Sequence, residues 1–173
     1  MKNVAVLIMH GMSPKDFPDC EKKEFLRLKA QGDAILASPS EEGRRARELD
    51  DKMRRWPRHA QNDPFFFAAQ ELARALERLL GFDVVCGFNE FCAPSVQQAF
   101  DRAALLDPEE IIVVTPMMTR GGFHSETDIP REVREAQKRY PKLAFRYAWP
   151  FETSDIAAFL ATQIQRSALS PIK

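Results

Sequence analysis

The sequence predicts an α/β protein with a mostly parallel four-stranded sheet between helical layers, a three-layer α/β/α arrangement, plus a helical insertion after the first strand. Three observations predict it. Four short apolar runs recur at residues 3–9, 82–88, 111–116 and 143–148. Stretches with helical spacing separate the last three and follow the fourth. Ile111-Ile112-Val113-Val114 is β-branched and apolar throughout, as expected of a strand covered on both faces. Strands that alternate with helices form right-handed βαβ units and pair in parallel.

The first strand, Val4 to Met9, ends at His10-Gly11. Residues 64–80 form the next helix of the βα pattern. Asp63 is suited to cap its N-terminus, Pro64 suits the first turn and Gly81 falls just past its end. Its apolar positions Phe67, Leu72, Ala75, Leu76 and Leu79 recur at helical spacing. The second strand, Phe82 to Phe88, follows at once. Pro94-Ser95 opens a helix to about Leu106, which Asp107-Pro108 breaks. After the third strand, Asp128-Ile129-Pro130 begins a helix with Asp128 as expected N-cap, ending near Tyr140-Pro141. Residues 143–148 form the last strand and Thr153 to Ser167 the last helix.

Between His10-Gly11 and residue 64 lie about fifty residues, where a strand-to-helix connection ordinarily takes a few. Residues 19–31 and about 40–56 are rich in helix formers, separated by Gly32 and Ser38-Pro39-Ser40. We therefore expect one domain, 1–173, with a helical insertion at 13–62. Glu41 to Arg55 is dense in both charge signs, which suits either a solvated hairpin laced with exposed ion pairs or a lid over the His10 edge.

Composition excludes several classes. Twenty-five basic residues balance 25 acidic ones, so no global field draws the chain to nucleic acid or anionic lipid. No apolar run approaches the ~20 residues that span a bilayer, and no secretory leader is evident at the N-terminus. Cys20, Cys86 and Cys92 are odd in number and form no Cys-x-x-Cys pair, which fits a reducing, cytoplasmic setting. Cys86 and Cys92 flank Glu90, and their expected role is that of small buried hydrophobes rather than thiolate ligands. No Gly-x-Ser-x-Gly elbow supports a hydrolase. Met9 stands where a histidine phosphatase needs arginine before His-Gly.

In a parallel sheet the carboxyl ends of the strands share one edge, and ligands bind there. His10 follows the first strand, Glu90 the second and His124 the third. Two of the chain's three histidines therefore fall where the sheet converges, whereas His59, inside the insertion, is expected at the surface. Two histidines and a carboxylate suit a borderline divalent transition metal.

Three segments resemble a known family. Val4 to Gly11 is similar to its opening strand and His-Gly. Gly87-Phe88-Asn89-Glu90-Phe91-Cys92-Ala93-Pro94-Ser95 is similar to its segment with a glutamate shortly before Pro-Ser. Ile111 to Pro130 is similar to its apolar strand, proline, apolar pair, Gly-x-His and Asp-Ile-Pro. The family is that of the CbiX-type sirohydrochlorin chelatases, in the class II, ATP-independent superfamily. The resemblance covers residues 1–12 and about 64–165. It implies a chelatase-like fold and a lyase that inserts a divalent metal, Co2+ foremost and otherwise Fe2+ or Ni2+, into sirohydrochlorin or a related tetrapyrrole for cobalamin or siroheme biosynthesis. The metal is substrate, and no organic cofactor is implied. His10 and His124 become metal ligands, and Glu90 a third ligand or proton acceptor.

Arg120, Gly121, Gly122 and Phe123 are the expected substrate contacts, Arg120 for a peripheral carboxylate. A single lobe encloses a macrocycle poorly, so a homodimer is expected. Met12 replaces the serine that usually follows His-Gly in the family, and the insertion falls where the family runs almost directly into its first helix. These departures give weight to an alternative, a non-catalytic metal- or tetrapyrrole-binding protein on the same fold.

Overall fold

A computed structural model describes residues 2–167. Its centre is a sheet of β1 (Asn3–Met9), β2 (Val84–Phe88), β3 (Glu110–Val114) and β4 (Ala144–Tyr147), in spatial order β2-β1-β3-β4. All three pairings are parallel, with Leu7 opposite Cys86 on one side and Val114 on the other. The α/β class read from the sequence therefore holds. Strand β2 starts two residues later than expected, and β3 ends before Pro116, which has no N–H to give the ladder.

Side-chain alternation along β1 divides the core. Val4, Val6 and Ile8 face one way and pack with Phe100 of α4 (Val96–Ala104) and Ile129 of α5 (Ile129–Arg139). Leu7 and Met9 face the other way and pack with Ala69 and Ala73 of α3 (Pro64–Leu80). Helix α3 has the expected ends: Asp63 accepts from the Phe66 amide at 2.9 Å, and Gly81 adopts φ +73°. Ser95 and Gln98 form a capping box on α4. The last helix, α6 (Thr153–Ser167), has no buried residue and exposes Phe159, Leu160 and Ile164.

The β1–α3 connection contains α1 (Asp19–Lys29), a 3-10 turn over Asp33–Ala37 and α2 (Glu41–Arg54). These pieces bury Phe17, Phe25, Leu28, Ile35, Ala46, Leu49 and Met53 in a small core of their own. Their outer surface is laced with ion pairs. Arg45 grips Glu24 with two hydrogen bonds, and Lys52 Nζ reaches Glu21 at 2.7 Å. The charge density of α2 is thus a solvated face, while its other face packs.

Arg58 joins this unit to the sheet. Its guanidinium pairs with Asp63 and donates to the backbone carbonyls of Met12, Met53 and Phe91. The pair is almost wholly withdrawn from water, with side chains 6% and 1% exposed. Arg54 adds bonds to the carbonyls of Asn89 and Cys92. The connection is therefore fastened to the very loop that carries Glu90.

Candidate metal centre

His10 and Glu90 are brought together by backbone. Past the end of β1, the Asn89 amide donates to the Met9 carbonyl and the Glu90 amide to the His10 carbonyl, both at 2.9 Å. This extends the β1–β2 contact by two residues. Gly11 makes it possible: its φ is +99°, and a Cβ there would meet the Glu90 carbonyl oxygen at 1.9 Å.

In His10, Nδ1 lies 2.8 Å from the Gly11 carbonyl. A carbonyl only accepts, so Nδ1 carries a proton, and in the tautomer that metal binding requires Nε2 turns its lone pair outward. That nitrogen lies 3.5 Å from Glu90 Oε2. A lone pair and a carboxylate aimed at each other call for a cation or a proton between them.

His124 arrives from the β3–α5 loop. Residues His124–Asp128 form a turn of π-helix that runs directly into α5. Pro130 accounts for its width: it has no N–H, and its ring would strike the carbonyl four residues back in a regular α-turn. Asp128 is consequently not the N-cap expected from sequence. It sits at φ −69°, ψ −54° inside the helical run and caps nothing. Its carboxylate instead accepts from His124 Nδ1 at 2.7 Å and pairs with Arg131. That bond leaves His124 Nε2 as the outward lone pair, the usual service of a carboxylate behind a metal-binding histidine.

The two imidazole centroids lie 5.0 Å apart, nearly edge to face. One ligand atom from each of His10, Glu90 and His124 falls within 4.8 Å of the others. Two atoms each ~2.1 Å from one ion lie at most ~4.2 Å apart, so shifts of under about 1 Å would close the set on a metal. Burial pushes the Glu90 carboxyl up, but the hydrogen bond and charge of Lys29, with the two histidines, outweigh it and hold it below the usual range. Glu90 is therefore ionised at neutral pH, as a ligand must be.

A cleft of about 620 Å³ is lined by Glu90 and His124, with His10 outside its lining; its size is within the ~300–1,000 Å³ typical of small-molecule sites. Phe123, Asn89 and Arg131 also line it, with Lys29 and Arg54 from the connection. Arg120 and Gly121 are exposed and do not line it. Gly121 turns the chain at φ +82°, its amide donating to Glu126 Oε1 at 2.9 Å, and Gly122 accepts from Ser125 Oγ at 3.1 Å. Their role is to shape the loop that carries Phe123 and His124. His59 stands apart, beside Asp16 and Gln61. Burial raises the Cys86 and Cys92 thiols to about 12 and 11, so both are protonated at neutral pH, and neither belongs to the His10, Glu90 and His124 group.

Sequence reasoning missed Lys29, Asp128 as partner of His124, and Arg131. The four-residue spacing from His124 to Asp128 was a usable signal, because residues so spaced meet on a helix. Lys29 offered none, lying 61 positions from the glutamate it meets.

The parallel sheet and the His-His-Glu set at its carboxyl edge define an α/β protein with a candidate transition-metal centre. The chain belongs to the CbiX family, whose model matches residues 67–167. Glu90 and His124 lie within that match, and His10 precedes it. The chain is 36% identical over 63 residues to a sirohydrochlorin cobaltochelatase of Methanopyrus kandleri, covering 36% of this chain and 43% of that protein. It is 31% identical over 67 residues to a sirohydrochlorin ferrochelatase of Priestia megaterium, covering 39% and 24%. The matched stretches thus span less than half the length of these curated relatives. A solved CbiX protein of Marinobacter aquaeolei VT8 shares the fold at 15% identity, with a TM-score of 0.52, over 96% of this chain and 97% of that one. No helix among the described residues is long and apolar enough to cross a membrane.

Proposed function

We propose that this chain takes a divalent metal ion on His10, Glu90 and His124 and inserts it into sirohydrochlorin or a related tetrapyrrole. Co2+ is the first candidate, and Fe2+ or Ni2+ the others. The observation that carries the reading is the approach of three ligand atoms, from three separate loops, to within 4.8 Å of one another beside an open cleft. Three protein ligands leave coordination positions for incoming ring nitrogens. The names of the curated relatives, one a cobaltochelatase and one a ferrochelatase, support the substrate class and leave the metal open.

Insertion also requires that two pyrrole N–H protons leave. Glu90, ionised and held low by Lys29, is a better ligand than base. The outward Nε2 lone pairs of His10 and His124 are better suited to accept protons as the metal departs. Arg131, on the cleft wall, is better positioned than Arg120 to meet a peripheral carboxylate of the macrocycle. We further propose a cytoplasmic homodimer. The uncovered apolar side chains of α6 support a second copy.

The test uses His10→Ala and His124→Ala separately, following metal insertion into sirohydrochlorin by absorbance. Each variant should stay folded and lose insertion by at least about 100-fold. Full activity in either would defeat the assignment. A spectral shift on tetrapyrrole binding without metallated product, in the wild-type chain, would establish the non-catalytic alternative instead.

A further inference from the structure

The two oxygens of Glu90 face different partners. Oε2 looks toward His10 Nε2 at 3.5 Å, whereas Oε1 accepts from Lys29 Nζ. Lys29 is the last residue of α1, and its position is well fixed. Phe25, one helical turn earlier on the same face, is 1% exposed and packs against Phe91 with ring centroids 6.3 Å apart. The lysine ammonium lies 5.9 Å from the centre of that same Phe91 ring. Its side chain is 17% exposed and that of Glu90 21%, so the pair is shielded from bulk solvent. The β1–α3 connection thus delivers a tethered cation to the carboxylate that a metal ion would use.

An ammonium and a divalent ion cannot both keep that carboxylate at full strength. They share one anionic partner and repel each other in a medium less polar than water. A ligand that must first displace an internal competitor binds more weakly by the fraction of sites already free. We propose that Lys29 is a positioning residue that sets the hold on the metal: it keeps Glu90 turned toward the histidines, and it competes for the carboxylate enough for the ion to be passed on. The proposal rests on the metal site proposed above and goes beyond it by assigning metal release to the connection.

The experiment titrates the full chain with Co2+, read by its visible absorbance, and chases the bound ion with EDTA. Lys29→Met should bind Co2+ about tenfold more tightly than wild type and release it correspondingly more slowly. Lys29→Arg, which restores a cation, should return both values toward wild type, a rescue that loss of packing alone would not give. If Lys29→Met fails to fold, Lys29→Gln carries the same expectation, since it keeps a donor to Glu90 without the charge. Equal or weaker Co2+ binding by the neutral variants, with His10→Ala still abolishing binding, would overturn the role of the lysine alone. A wild-type chain that takes up no Co2+ would overturn the metal site and this proposal together.

Discussion

The cleft has two walls of different construction. The wall at the sheet edge is assembled by backbone: Glu90, which lines it, is locked in register with His10 by two amide–carbonyl bonds, and Gly11 yields the space. The wall formed by the β1–α3 connection is assembled by side chains. It has its own core around Phe25, Leu49 and Met53, and long cations cross from it to the Glu90 loop. Backbone construction fixes the register of the two ligand-bearing residues. Side-chain construction leaves at Lys29 a charge that substitution can change at less cost than at the buried Arg58. The first wall suits metal ligation and the second suits tuning it.

The sharpest way to separate the walls is Arg58→Met. It strands Asp63 as a buried unpaired charge and cuts bonds to three carbonyls in separate segments. Breaking a buried pair from one side costs about 4 kcal/mol, measurable as a fall in the urea midpoint. Gly11→Ala attacks the backbone wall instead. The clash with the Glu90 carbonyl should cost about 3 kcal/mol and abolish Co2+ binding, because His10 and Glu90 can no longer keep register.

Asp128→Asn is milder. It removes the charge behind His124 but not the shape, and should weaken Co2+ binding about tenfold with little change in thermal midpoint. The smallest effect compares the thiols. Exposed Cys20, on the connection, should alkylate with iodoacetamide at pH 8. Cys86 and Cys92 ionise only near 12 and 11, so they should stay unmodified until the chain is unfolded, as mass spectrometry would report.

The same contrast explains what was legible in the sequence. The β-branched runs and Asp63-Pro64…Gly81 marked the sheet and α3, because periodicity and capping are local. His10 and His124 were visible as side chains at strand ends, where parallel topology gathers them. Asp128 was visible but misassigned: Pro130 forces a wide turn that absorbs it into the helix, and it serves His124 instead of an amide. Arg120 was expected at the site from its neighbours, yet the turn at Gly121 leaves it outside the cleft lining while Phe123 and His124 enter. The packing of α1 and α2 against each other brings Lys29 to Glu90, and no local pattern encodes that meeting.

The most direct measurement is anomalous diffraction at the cobalt edge from crystals of the wild-type chain soaked in Co2+. The account predicts one strong peak within about 2.3 Å of His10 Nε2, His124 Nε2 and a Glu90 oxygen, with Lys29 Nζ drawn away from that carboxylate. A fully occupied cobalt peak elsewhere, with these three side chains free of it, would contradict it.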